Sequence, residues 1–452
     1  MNIHREHLPA DCTPGADNTQ SVLILGTGPA SLQLAVLMKQ KWKACVGIAG
    51  RVSVRSETLF KSLEKKGYLI SAEVQNDAHL PLKGECVIDH IFQGYEQVSG
   101  AWDTLILAVT TDAYIEVLKK IHRDVLKQAQ TLLLVSPTLG SNSLVKHYLS
   151  TLESKAEVIS FSTYLGDTRW KDDKPGHQVI TTGVKKKLYI GSTHKSSQAI
   201  SRWSELLQSL GLTLGVMDSP IEAETRNISL YVHPPLFMNE FSLNAIFGDN
   251  SVRKYVYKMF PEGPITQTLI STMLALWKEI TSVVEKMSLK GVNLLQFMTD
   301  DNYPVRPESL SRQDIDHFTE LDSIHQQYLL YVRYTSLLID PFSEPDAEGR
   351  YFDFSAVPIR TLFVNRDGEL EVPRMPKEDY YRIKIIQGIA RFLQVDCPMI
   401  DQFISAYEHK LQTAAAAKSD VRLSNAFLVQ SFEEDVTMIC REIETLLEAS
   451  TS

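Results

Sequence analysis

The sequence predicts an α/β fold in which a parallel sheet covered on both faces is followed by a mainly α-helical domain with an inserted β-hairpin. Three observations carry this. First, the apolar run Ser21-Val22-Leu23-Ile24-Leu25 ends in the turn Gly26-Thr27-Gly28-Pro29-Ala30-Ser31 and enters a helical stretch with Leu32, Ala35, Val36 and Met38 at apolar positions. Second, short, nearly continuous apolar runs recur at 104–109, 132–135 and 158–161. Each leads into small or polar residues, the pattern of strands buried on both faces. Third, from residue 221 onward the apolar residues repeat at helical spacing instead. The expected division is a loose tail over 1–20, a first domain over 21–220 and a helical domain over 221–452 that binds substrate and dimerises.

The chain has 452 residues, long for a single core, which is why two domains are expected. Its net charge of −9 argues against non-specific nucleic-acid binding. Cys12, Cys45, Cys86, Cys397 and Cys440 are scattered and form no CxxC pair, which fits free thiols in a reducing cytosol. Residues 1–20 are polar and lack the apolar stretch of a signal peptide, and no apolar run reaches membrane-spanning length. A soluble, cytoplasmic protein is expected.

The stretch 21–55 carries the first chemistry. A strand, a glycine turn and a helix in this order are those of a dinucleotide-binding unit of Rossmann type, the alternative being a tight β–α turn that binds no nucleotide. Gly26 permits the tight turn, Gly28 lets backbone approach a pyrophosphate, and the helix N-terminus attracts the negative charge. Thr27, Pro29, Ala30 and Ser31 complete the turn, and Ser31 stands where the fingerprint has a third small residue, usually glycine. The second strand, 44–49, ends at Gly50-Arg51, where NAD binders usually place an acid for the ribose 2′-hydroxyl. Arginine there suits a 2′-phosphate, so the expected cofactor is NADPH, with Arg55 as a second cation. A solvated loop cation is the alternative for Arg51.

In open α/β sheets ligands bind at the carboxyl ends of the strands, which places Thr110, Pro137 and Asp167 near the cofactor. Beyond Asp167, 179–184 and 188–191 read as a β-hairpin closed by Lys185-Lys186-Lys187, a solvated turn or, less simply, a phosphate contact. A further strand is expected at 212–217.

In the helical region, Leu269, Met273, Leu276, Trp277, Ile280 and Val284 mark a core-facing stripe, and 326–339 is also helix-like. The segment 351–373 holds Asn365-Arg366-Asp367-Gly368 between apolar runs, a hairpin signal. A nicotinamide enzyme also needs a group that exchanges a proton, and histidine titrates near neutrality. Of twelve histidines, His233 stands out because Pro234 and Pro235 fix the backbone after it, though a capped loop histidine reads the same way. Asp167 is the expected partner that orients it and stabilises the imidazolium. Gly166-Asp167-Thr168 is equally turn chemistry.

Several segments closely resemble one family. They are Ile159-Ser160-Phe161-Ser162-Thr163-Tyr164-Leu165-Gly166-Asp167-Thr168-Arg169, Thr181-Thr182-Gly183-Val184, Ala223-Glu224-Thr225-Arg226-Asn227, Tyr231-Val232-His233-Pro234-Pro235, Phe260-Pro261-Glu262-Gly263-Pro264, Asn302-Tyr303-Pro304-Val305-Arg306-Pro307 and Tyr351-Phe352-Asp353-Phe354-Ser355. The pattern resembles the opine metallophore dehydrogenases (staphylopine, pseudopaline and yersinopine dehydrogenases), nearest the staphylopine branch, and covers nearly all of the chain after Ser21. The resemblance implies an NADPH-dependent reductive condensation. The primary amine of a nicotianamine-like histidine–aminobutyrate intermediate joins a 2-oxo acid, pyruvate being favoured, to give a metal-chelating opine. It also implies His233 and Asp167 as the catalytic pair, Arg51 as a contact to the NADPH phosphate, and a homodimer. Arg226 and Arg306 are candidate cations for substrate carboxylates, or structural salt-bridge partners. No clustered ligand spacing points to a catalytic metal. The competing readings are a simpler amino-acid opine dehydrogenase and a non-catalytic NADP sensor.

Overall fold

The structure, a computed structural model, describes residues 20–248, 252–341, 343–365, 367–418 and 420–451, without the side chains of Arg55 and 449–451. The chain divides into two units, 1–226 and 227–452, six residues beyond the expected boundary.

Alternation in the first strand shows how the first unit is layered. In β1 (Ser21–Leu25), Val22 and Ile24 join one apolar cluster and Leu23 and Leu25 the other, and all four are fully buried. A strand with no solvent face must be covered on both sides. The remaining strands of this unit are β2 (Cys45–Gly50), β3 (Leu69–Val74), β4 (Gly84–Val87), β5 (His90–Gln93), β6 (Thr104–Leu107), β7 (Thr131–Leu134), β8 (Glu157–Phe161), β9 (Gly166–Trp170), β10 (Gln178–Val184), β11 (Lys187–Ser192) and β12 (Thr213–Val216). Eight form the main sheet in the order β12-β11-β8-β7-β6-β1-β2-β5, parallel except where β11 meets β8. The order steps outward from β1 in both directions, which puts the topological switch at the carboxyl ends of β1 and β6.

A second sheet, β4-β3-β10-β9, was not foreseen. It also overturns the expected hairpin. Strands β10 and β11 are consecutive but do not pair: β10 lies between β3 and β9, and β11 between β8 and β12. The link between them is not a solvated turn throughout. Lys185 is buried, its backbone N–H donates to the Leu165 carbonyl at 2.9 Å and its Nζ to Thr163 Oγ1 at 3.3 Å. Burial pulls its ammonium down to about 7. The lysine run read as surface because charge pattern alone does not reveal a chain passing from one sheet to another.

Among the described cysteines, Cys86, Cys397 and Cys440 are free and buried. Cys45 is disulfide-bonded, against the expectation of free thiols.

The second unit is built from helices. Gln267–Lys286 buries Leu269, Met273, Leu276, Trp277, Ile280 and Val284, the stripe read from the sequence. It packs against the helices Ser229–Phe237, Ser323–Thr335, Arg374–Phe392 and Pro398–Ala417. The expected hairpin is present as two short antiparallel strands, β13 (Phe363–Val364) and β14 (Leu370–Glu371). No described helix is long and apolar enough to cross a membrane.

Candidate active site

The turn after β1 is shaped to receive a phosphate. Gly26 has φ +137°, and a Cβ there would sit 2.4 Å from the Ala108 carbonyl oxygen, so only glycine lets β1 and β6 approach so closely. A Cβ on Gly28 would meet no atom within 4 Å, so the space over the turn is open. Gly28 is the N-cap of the helix Pro29–Trp42 and Pro29 its first residue, which leaves the N-terminal amides directed at that space. Ser31 is fully buried, and its Oγ has no hydrogen-bond partner among the described residues. Close packing at the end of β2 explains Gly50, whose Cβ would sit 2.3 Å from the Thr27 side chain.

Arg51 follows at the end of β2 with its side chain exposed. Its backbone is fixed from two sides: Ser56 Oγ donates to its carbonyl at 2.5 Å, and its N–H donates to the Tyr95 phenol. Ser53 and Ser56 form a reciprocal cap on the helix Val54–Lys65, whose first turn contains Arg55. The residues present therefore fit a dinucleotide with a 2′-phosphate: an open glycine cradle, a helix N-terminus and an exposed guanidinium at the end of the second strand.

A second helix start borders the carboxyl end of β7. Thr110 caps the short turn Thr111–Ala113, and Pro137 is buried just past β7. The Thr138 N–H donates to Thr111 Oγ1 at 3.2 Å and to Ser141 Oγ at 2.9 Å. The carboxylate of Glu224, fully buried, accepts from Gly140 N and Asn142 N at 2.8 Å, Asn142 Nδ2 at 2.9 Å and Ser160 Oγ at 2.8 Å. Burial pushes its carboxyl up to about 7, against these four donors, which favour the ionised form. Glu224 lies in a motif the sequence singled out for Arg226; its own role was missed. Arg226 lies 3.8 Å from Glu222, a partly buried ion pair and the structural alternative weighed for it.

Asp167 lies on β9 opposite Gly183 of β10. Its Oδ2 accepts from Arg169 Nε at 2.8 Å and Thr182 Oγ1 at 3.0 Å, and the side chain is about two-fifths exposed, with relative accessibility 38%. The carboxylate is held by neighbours on its own sheet and keeps access to solvent.

In the second unit, His233 sits in a helix, Ser229–Phe237, and not in a loop. Pro234 and Pro235 lie inside this helix, where each removes a backbone donor. His233 Nδ1 lies 3.3 Å from Asp379 Oδ1, an ion-pair distance at an angle outside hydrogen-bond geometry. Asp379 is completely buried. The helix that carries it, Arg374–Phe392, becomes regular at Pro376, so Glu378 and Asp379 fall in its first turn, where the helix dipole favours acids. Arg382 lies one turn further along and Arg374 one turn before. Arg382 Nη1 donates to Asp379 Oδ1 at 2.5 Å and Nη2 to Glu378 Oε1 at 2.7 Å, and Arg374 Nε donates to Glu378 Oε2 at 2.5 Å. Burial pulls the Glu378 carboxyl up, but Arg382 and Arg374, with His233 adding, hold it at about 2. The Phe237 ring, 5.4 Å away, closes one side of the imidazole.

The carboxylate that lies beside His233 within its own unit is Asp379, which the sequence reading did not name. Its signal was present as the spacing Arg374, Glu378, Asp379 and Arg382 on a helix. Arg306 stacks on Tyr351, 4.4 Å from guanidinium to ring, and donates to the Ser343 carbonyl at 2.8 Å.

The sequence profile of the family described as staphylopine dehydrogenase matches residues 20–443. The chain is 46% identical to the staphylopine synthase of Staphylococcus aureus over 94% of its own length and 98% of that protein. It is 35% identical to the pseudopaline synthase of Pseudomonas aeruginosa, over 86% and 89%. Among solved structures, a yersinopine dehydrogenase with NADP+ bound superposes with a TM-score of 0.87 at 29% identity, covering 95% of this chain and 99% of that one. An octopine dehydrogenase shares the fold at a TM-score of 0.58 and 16% identity. The chain belongs to the staphylopine dehydrogenase family, with its α/β first domain and helical second domain, and is an oxidoreductase of the opine dehydrogenase class.

Proposed function

We propose that this protein is an NADPH-dependent synthase of a staphylopine-like metal-chelating opine. It condenses the primary amine of a histidine–aminobutyrate intermediate with a 2-oxo acid, pyruvate being favoured, and reduces the resulting imine to a secondary amine. The observation that carries this reading is the 46% identity to a staphylopine synthase across nearly both full lengths.

Gly26, Thr27, Gly28 and the amides that follow Pro29, Ala30 and Ser31 hold the pyrophosphate. Arg51, with Arg55 beside it in sequence, meets the 2′-phosphate, and Thr110 and Pro137 border the carboxyl ends of β6 and β7 where the nicotinamide end lies. NADPH supplies the hydride that reduces the imine carbon. His233 exchanges the proton that imine formation and reduction require, and Asp379 stabilises the imidazolium and fixes the ring. Asp167, held by Arg169 and Thr182, is a second proposed catalytic carboxylate. Arg226 and Arg306 are proposed contacts to substrate carboxylates.

The metal is cargo of the product. A homodimer in the cytoplasm completes the reading, and an apolar stripe of Ile324, Tyr328 and Tyr331 on the exposed side of one helix supports a subunit contact.

NADPH oxidation tests the proposal, with pyruvate or 2-oxoglutarate against free histidine or the aminobutyrate intermediate. Turnover should be fastest with the intermediate and pyruvate. Faster turnover with a free amino acid would indicate a simpler opine dehydrogenase, and none with any pair would indicate a nucleotide sensor. His233→Ala should keep NADPH binding and lose most turnover.

A further inference from the structure

The helix Ser323–Thr335 turns Gln326, Leu329, Leu330, Arg333 and Tyr334 inward, and Leu337 continues the same face. Arginine thus occupies a position that the spacing reserves for an apolar side chain. Arg333 is 7% exposed. Its guanidinium lies over the Tyr334 ring at 5.0 Å, and its Nε is buried without an acceptor. Among the described residues it makes no hydrogen bond or ion pair to a carboxylate. Burial lowers its pKa, and the groups that oppose this are two phenols, Tyr334 and Tyr257. The Tyr334 hydroxyl is itself turned to the Met273 sulfur, at 3.5 Å.

Two other arginines of this unit show what is missing. Arg382, also buried, has two counter-charges, Asp379 and Glu378 on its Nη atoms, although its Nε too has no acceptor among the described residues. Arg306 has the Ser343 carbonyl as well as its ring. Arginine does not shed its proton under ordinary conditions, so Arg333 stays a largely buried cation that, among the described residues, has no carboxylate against it. Such a group is strongly unfavourable unless an anion meets it, and the planar guanidinium matches a carboxylate with two parallel hydrogen bonds. Placement in the last turn of its helix favours a cation through the dipole but satisfies none of its donors.

We propose that Arg333 is a binding residue for a substrate carboxylate. The assignment rests on the opine synthase reading, in which both co-substrates carry carboxylates and neither carries a phosphate. Either could supply the group.

The test uses the full-length enzyme as Arg333→Met and Arg333→Lys. With NADPH saturating, the KM for one carboxylate substrate should rise about 50-fold in the methionine variant and less in the lysine variant, with kcat within about fivefold. Whichever KM moves, that of the oxo acid or that of the amine, identifies the source. An NADPH KM that moves as much, or carboxylate KM values that stay put in a folded variant, would overturn the assignment. A second arm needs no turnover: malonate should raise the thermal midpoint of the wild type above an equal ionic strength of sodium chloride, and Arg333→Lys should reduce that shift. An equal shift in both proteins, or none in the wild type, rejects the site. If no substrate pair oxidises NADPH, the synthase reading fails while the malonate arm still decides on Arg333.

Discussion

The turn 26–31 and the cluster around His233 are shaped by different kinds of atoms. The turn is made by backbone and by the absence of side chains: Gly26 and Gly50 permit approaches that a Cβ would block, and Gly28 leaves its space empty. The cluster is made by side chains brought together from two segments, about 145 residues apart, with Asp379, Glu378, Arg382 and Arg374 neutralising one another around one imidazole. A backbone site depends on local geometry and tolerates changes in charge around it. A buried charge cluster depends on every member, because removing one leaves the others uncompensated.

Breaking the cluster should therefore have the largest effect. Asp379→Asn is expected to lower kcat about 1000-fold, as when a histidine loses the carboxylate that sets its tautomer, and to leave the NADPH KM unchanged. A loss under threefold in steady-state kinetics would remove Asp379 from the site. On the backbone side, Gly26→Ala and Gly28→Ala should part company. The first meets the Ala108 carbonyl and a positive φ, and should cost several degrees of thermal midpoint. The second should keep its midpoint but raise the NADPH KM about tenfold, because the methyl stands where a phosphate approaches. Equal midpoints for both would mean that the turn is looser than its contacts imply. Arg51→Ala should raise the NADPH KM about tenfold, the scale of one charge-assisted contact, while NADH kinetics hardly change. Equal effects on both cofactors would remove Arg51 from phosphate recognition.

The smallest effect concerns pH. Glu378 is held at about 2, below its ordinary 4.5. A lowered folded value means that its contribution to stability is present above about pH 4.5 and is lost as pH falls towards 2. Glu378→Gln should flatten the acid limb of a urea-denaturation series over that range, and an unchanged limb would show that the arginines do not hold this carboxylate.

The same division decides what could be read from the sequence. Strand β1, its turn, the helix after it and Arg51 lie within 35 consecutive residues and obey local rules, so this strand–turn–helix was legible. The stripe of Gln267–Lys286 was legible for the same reason: 3.6-residue periodicity is a local property. His233 was singled out by the sequence, but its helical setting beside Asp379 was not foreseen. Two prolines read as loop chemistry, whereas tertiary packing keeps the segment helical. Asp379 is distant in sequence, and nothing local to His233 announces it. The small sheet was missed because β3 and β10 are a hundred residues apart, and the change of sheet at Lys185 is invisible to hydropathy.

Glu224 sets where this chain can be divided. It lies past the expected boundary at 220, yet four donors from the middle of the first unit converge on it, two of them amides at a helix start. A fragment cut at 220 would carry those donors into its interior with no acceptor. The helix Pro220–Thr225 belongs, by this one carboxylate, to the half of the gene product that precedes it, and dissection of the enzyme into separately expressed halves has to begin after Arg226.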